Sequence, residues 1–237
     1  MRVDHQNPEH SKWVLVDWTL GTACNFQCSY CPAELHDGRF PFPSPDSVVE
    51  FARVVSRHYE SLGRRVFVQF TGGEVSLFSQ LPGILSELKQ AGIRSGVLSN
   101  GSRGLAFWSK LSALLDSVTL THHIEFAHWE RFQSIAAMLS ERIRTHVQFT
   151  MLPARFDECV ERALTIRALC PRATIGLKPL RVGFGTELFT YGSSQLAVLR
   201  KPPIPPVRDP LPGGVRGRMR IQDGDILSAS QILLQEV

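Results

Sequence analysis

Between Trp13 and Leu199 the chain alternates short β-type runs with amphipathic helical stretches six times over. The β-type runs cover residues 13–18, 66–70, 93–98, 118–121, 146–152 and 173–177. In the first helical stretch, Ser44 or Asp46 is placed to cap, and Val48, Phe51, Ala52, Val55, Tyr59 and Leu62 recur at helical spacing before Gly63 ends the pattern. Further helices are expected over residues 81–90, 105–115, 128–140 and 156–169, and from Ser193 or Ser194 to Leu199. Strict alternation with short connections demands parallel strands, outer helices and right-handed crossovers. An open doubly wound sheet and a partial barrel both satisfy that order. Both gather chemistry at the carboxyl ends of the strands.

Polar groups recur at those ends. Cys24-Asn25-Phe26-Gln27-Cys28-Ser29-Tyr30-Cys31 follows the first strand, and Gly72-Gly73-Glu74 the second. Ser99-Asn100 follows the third strand, Thr121-His122-His123 closes the fourth, and Lys178 and Leu180 lie beyond the sixth. Cys-x3-Cys-x2-Cys is a dense array of soft ligands, suited to zinc or an iron–sulfur cluster. A cluster held only by protein takes four cysteines, so three leave one iron open. His36 offers the zinc alternative, as the last ligand of a Cys3His set. Asn100 serves either a turn or the pocket. His128 reads as surface helix. Lys178 and Arg181 are candidates to meet a carboxylate or phosphate.

Composition narrows the setting. The net charge of +4 admits an anionic substrate without arguing for nucleic acid. The first twelve residues form a polar segment without a signal-peptide core, and no stretch reaches the ~20 apolar residues of a membrane span. Five cysteines, three of them crowded, do not form a secreted disulfide framework. A reducing, cytoplasmic location is expected. Cys159, Cys170, Trp108, Trp129 and Phe132 read as core.

The cysteine spacing after a first strand, Tyr30 just before the third cysteine, and Gly72-Gly73-Glu74 after the second strand together resemble the radical S-adenosylmethionine (SAM) enzymes. The resemblance covers roughly residues 14–199 and implies a partial (βα)6 TIM-like barrel over residues 13–200. It implies that Cys24, Cys28 and Cys31 hold a [4Fe–4S] cluster whose open iron chelates the amino and carboxylate groups of SAM. Gly72, Gly73 and Glu74 would meet the SAM amino group, mainly through backbone, and Tyr30 would sit beside the adenine. By strand count, Thr121 and His122 would lie near the ribose or carboxylate. Ser99 and Asn100 would line the pocket, and Lys178 to Leu180 would border the adenine. The apolar-Gly pattern that some members carry after the fifth strand is replaced by Thr150-Met151-Leu152-Pro153.

The implied chemistry is reductive cleavage of SAM to methionine and a 5′-deoxyadenosyl radical that takes hydrogen from an organic substrate. The electron would come from an external reductant such as flavodoxin or ferredoxin. A phosphorylated or carboxylated small molecule such as a nucleotide sugar, or a peptide, are the substrates the reading admits. A non-catalytic iron–sulfur module for electron transfer or sensing is the competing class. Residues 201–237 read as a Pro/Gly-rich linker and a partial C-terminal extension. There Arg216, Arg218 and Arg220 look like an edge strand, Asp223-Gly224 a turn, and residues 228–237 the start of a helix. That tail is similar to the approach to the SPASM or twitch extension of some members. It ends before any cysteines, so an auxiliary cluster is not expected.

Overall fold

A computed structural model describes residues 3–5, 11–201, 204, 206–209, 211–212, 218–221 and 226–228. Six strands form one parallel sheet: β1 Trp13–Thr19, β2 Arg65–Thr71, β3 Arg94–Ser99, β4 Ser117–His122, β5 Arg144–Met151 and β6 Thr174–Pro179. They lie in sequence order, and among the described residues β1 and β6 do not close on each other. The result is a half-barrel. Helices α1 Pro45–Ser61, α2 Leu81–Gln90, α3 Leu105–Leu111, α4 Trp129–Ser140 and α5 Phe156–Leu169 return the chain from strand to strand, and α6 Ser193–Leu199 follows β6. Local chemistry sets their ends. Ser44 accepts the Ser47 N–H at 3.2 Å ahead of Pro45, and Gly63 takes φ +71° where α1 stops.

Alternate strand positions have separate fates. Val66, Val68, Phe70, Val97, Val118, Leu120, Val147, Phe149 and Ile175 pack with Ile84, Leu85, Trp108, Ile135 and Ile166 into one core under the helices. Cys159 and Cys170 are fully buried there, as expected. The other positions line the concave side in rows fixed by the strand register. One row runs Asp17, Gln69, Gly96, Ser117, Arg144, and the next Leu98, Thr119, His146, Thr174. Above them come Thr121, Gln148, Gly176, and then Thr150, Lys178. A closed parallel barrel fills this space with branched aliphatics. Here hydroxyls and amides dominate it.

The expected edge strand in the tail is the middle of a small second sheet. Arg218–Ile221 pairs antiparallel with Val3–His5 on one side and Ile226–Ser228 on the other. Ser228 therefore ends a strand rather than starting a helix. The expected turn at Asp223-Gly224 and the rest of the expected helix lie outside the described residues. Ile204 of the proline-rich segment pairs with Ile175 on the open side of β6.

One buried side chain ties the end of β5 to the loop after β6. Tyr191 Oη donates to Met151 O at 2.6 Å and accepts from Leu180 N at 2.8 Å. Tyr191→Phe leaves both backbone groups without this partner, so we expect it to lower unfolding free energy by ~1–3 kcal/mol in urea denaturation. An unchanged midpoint and slope contradicts that role.

Candidate active site

The cysteine loop is built onto the end of β2. Past the last strand pairs, Leu20 N donates to Thr71 O at 2.9 Å, Gly73 N to Gly21 O at 2.9 Å, and Glu74 N to Ala23 O at 2.8 Å. Gly72 needs glycine twice over: its φ is +141°, and a Cβ there would drive into Gly21 O. A Cβ on Gly73 would come within 2.6 Å of Thr22 O. At its base the loop is closed by Thr22, which exchanges bonds with the Phe40 backbone and donates from Oγ1 to Asp37 at 3.1 Å. That pinch joins residues far enough apart in sequence that spacing gives no sign of it.

Glu74 is 1% exposed and works as a buried acceptor. Its carboxylate takes Ser99 Oγ at 2.7 Å, Asn100 N at 2.7 Å and Ser76 N at 2.9 Å. It therefore locks the second strand-end loop to the third. Asn100 serves both its turn and the site. Its Oδ1 accepts Ser102 N at 2.9 Å, while Nδ2 donates to Asn25 Oδ1 at 3.0 Å and lies 4.0 Å from Cys24 Sγ.

The fourth strand-end loop carries the middle of the cysteine loop. Glu125 accepts both Ser29 N, at 2.9 Å, and Ser29 Oγ, at 2.6 Å. Phe126 stacks on Phe26 with centroids 5.6 Å apart. His123 Nδ1 lies 2.8 Å from Tyr30 Oη and 3.5 Å from Cys28 Sγ. Arg155, held by two bonds to Glu158, donates to Ile124 O at 2.8 Å and fixes this loop. Glu125, Thr150 and Asp37 had no sequence signal as site residues.

Of the residues expected at the site, Cys24, Cys28, Tyr30, Cys31, Gly72, Gly73, Glu74, Ser99 and Asn100 come together here. Leu180 packs against Cys28 and Tyr30, backed by Phe26 and Phe189. Thr121 faces the concave side, and its Oγ1 and the Nε2 of Gln69 are buried with no partner among the described residues. Both residues are 4% exposed. His122 goes the other way. Its ring is wedged among Trp129, Phe132 and Phe149, with Arg162 Nη1 at 3.2 Å. Strand alternation explains the split, because His122 shares the helix-facing side with Val118 and Leu120. Arg181 is engaged by its own loop, donating to Thr186 O at 2.5 Å. His128 sits on the surface beside Glu130.

Electrostatics at the site follow burial. It raises the thiols of Cys24 and Cys31, and pushes Cys28 up to about 12. Metal ligation must displace those protons. Burial also raises Tyr30, and with the positive Lys178 it lowers His123 to about 4. Burial beside Arg162 lowers His122 to about 3. Both imidazoles are neutral at physiological pH. All three cysteines are free thiols. Among the described residues no three His, Cys, Asp or Glu groups converge on one ion, and His36 completes no such set. A cluster asks for something else, one iron per cysteine. Two of the cavities among the described residues lie at opposite ends of the strands. One of about 120 Å³ adjoins Asn25, Phe26, Asn100 and Arg131, while the larger, about 420 Å³, lies at the opposite strand ends beside Trp13 and Arg65. The smaller one borders the site through Asn25, Phe26 and Asn100, and the cysteines themselves do not line it.

A three-thiol loop clamped over the mouth of a parallel half-barrel defines a class: an α/β scaffold with its polar groups gathered at the carboxyl ends of the strands. The chain belongs to the Radical SAM superfamily, whose signature matches residues 18–166. Enzymes of this superfamily use a [4Fe–4S] cluster and SAM. Among curated proteins, the chain is similar to a GTP 3′,8-cyclase of Stenotrophomonas maltophilia, 34% identical over 139 residues, covering 51% of this chain and 41% of that protein. A probable GTP 3′,8-cyclase of Saccharolobus islandicus is 27% identical over 150 residues, covering 61% of this chain and 47% of its own. The chain thus spans about half the length of the curated relatives it matches. Among solved structures, SuiB of Streptococcus suis bound to S-adenosylmethionine shares the fold. Its TM-score is 0.53 at 14% identity, over 79% of this chain and 45% of that one.

The tight approach of Gly73 to the cysteine loop yields a prediction. Gly73→Ala must push that loop away, at the ~1–3 kcal/mol typical of overpacking. We expect a lower unfolding midpoint and less iron and sulfide bound per chain after anaerobic reconstitution. Wild-type iron content in this variant contradicts the docking.

Proposed function

We propose that this chain reductively cleaves SAM and directs the resulting radical at a polar small molecule. The substrate would carry a phosphate or carboxylate, as a nucleotide sugar does. The observation that carries the reading is the cysteine loop continuing its backbone pairing onto Gly72-Gly73-Glu74. Cys24, Cys28 and Cys31 would ligate three irons. Backbone of Gly72 to Glu74 would receive the SAM amino group. The ring of Tyr30, with Leu180 behind it, would flank the adenine, and Thr121 would reach the ribose or carboxylate. His122 would contribute only through its backbone, because its ring lies under the helices.

When bound, the cluster and SAM supply the electron and the carbon radical that takes a hydrogen atom. The chain's own part is to hold the partners and keep water out. Loops from the ends of all six strands meet over the site. Below them the concave rows offer neutral hydrogen-bonding groups. Gln69 Nε2 and Thr121 Oγ1 are buried without partners among the described residues, and buried polar groups are ordinarily paired. A ligand rich in hydroxyls or amides would satisfy them. Lys178 stands in the uppermost row, suited to an anionic group. The relatives named for converting GTP support a nucleotide-like substrate. A peptide is the second reading. The edge of β1 away from β2 has no strand partner among the described residues, and a peptide can add there as a strand.

The test is anaerobic reconstitution, dithionite and SAM, followed by detection of 5′-deoxyadenosine. We expect its formation, and its loss together with the cluster in Cys28→Ala. An intact cluster that forms none favours an electron-transfer module. A colourless protein with stoichiometric zinc overturns the reading. With a substrate panel, hydrogen loss from a nucleotide sugar or nucleotide supports the small-molecule reading, and turnover of peptides alone supports the second.

A further inference from the structure

Hydrogen-bond bookkeeping around Tyr30 fixes the protons. Thr150 Oγ1 donates to the His122 carbonyl at 2.9 Å, and a carbonyl can only accept. The single proton of Thr150 is thereby used. Tyr30 Oη lies 3.0 Å from Thr150 Oγ1, so Tyr30 is the donor in that contact. Its single proton is then used as well. The 2.8 Å contact between Tyr30 Oη and His123 Nδ1 therefore needs the imidazole as donor. A neutral ring with its proton on Nδ1 meets that demand, and the same nitrogen is 3.5 Å from Cys28 Sγ. Once Cys28 is a metal-bound thiolate it has no proton and can only accept.

We propose that His123 carries its proton on Nδ1 and shares that N–H between Tyr30 Oη and the Cys28 sulfur. It thereby joins the Phe26 N–H and Asn100 Nδ2 at Cys24 as a donor to the cysteine sulfurs, and it is the one at Cys28 that we assign to tuning the potential of the cluster. Hydrogen bonds to cluster sulfurs are one of the means by which a protein sets that potential. Removing a donor leaves more negative charge on the sulfur and makes the cluster harder to reduce. His123 acts through Cys28, so it is a positioning residue. One residue past the end of β4, it continues the alternation of Thr119 and Thr121, and its contacts with Tyr30 and Cys28 put it on the concave side where the His122 ring does not reach. The inference rests on the radical SAM reading of the cysteine loop.

Two measurements test it. Before reconstitution, long-range 1H–15N NMR of His123, assigned by its loss in His123→Phe, should show a protonated Nδ1 and a bare Nε2. The opposite tautomer overturns the proposal. After reconstitution, EPR-monitored redox titration of the cluster-loaded protein should give a more negative midpoint potential for His123→Phe than for wild type. His123→Asn, whose amide N–H falls close to the Nδ1 position, should return the potential towards wild type. Equal potentials for wild type and His123→Phe overturn the proposal, as do equal shifts in both variants. Should His123→Phe fail to fold, assignment by His123→Asn keeps the tautomer test decisive. A wild-type chain that takes up no cluster is a failure of the radical SAM reading. A loaded wild type whose potential ignores His123 is a failure of this inference alone.

Discussion

Everything at this site depends on the closeness of two backbones. Gly72 and Gly73 let the end of β2 run against Gly21, Thr22 and Ala23 with no side chain between them. Any Cβ would force the chains apart. Because they touch, the cysteine loop begins as an extension of the sheet instead of a free excursion. Its conformational entropy is reduced before any metal arrives. Glu74 carries the same constraint onward to Ser99 and Asn100. Two strand-end loops and the cysteine loop are thus tied together by hydrogen bonds.

The other side of the cysteine loop is held differently. There side chains do the work: Glu125 on Ser29, Phe126 on Phe26, and the ordered series His123, Tyr30, Thr150 and the His122 carbonyl. The series crosses from β4 to β5 and ends at a backbone acceptor, so its direction is fixed by chemistry. Beneath it, the concave rows are hydroxyl- and amide-rich where a closed barrel would be aliphatic. A half-barrel need not fill its own centre. The space is available for ligands that hydrogen-bond.

Much of this was legible in the residues. The β runs and helical stripes gave the six-strand order, and the cysteine spacing with Gly72-Gly73-Glu74 pointed to the cluster. The parity of His122 and His123 was readable too. Val118 and Leu120 mark the core-facing side, so His122 belongs with them and His123 with Thr121. Strand count alone had favoured His122. Contacts such as Glu125 on Ser29 join residues 96 apart in sequence, and no local pattern encodes that pairing. The tail misled for a related reason. Alternating arginines suggest an exposed edge, yet Arg218–Ile221 has partners on both sides, one of them from the first residues of the chain.

The central claim is that Cys24, Cys28 and Cys31 hold a cluster with one iron left for SAM. Electron–nuclear double resonance on the reduced, reconstituted protein addresses it directly, using SAM labelled with 15N at its amino group. The account predicts hyperfine coupling between the label and the cluster, large enough to mean direct iron–nitrogen ligation. A reduced [4Fe–4S] signal that is blind to the label, at saturating SAM, would contradict it.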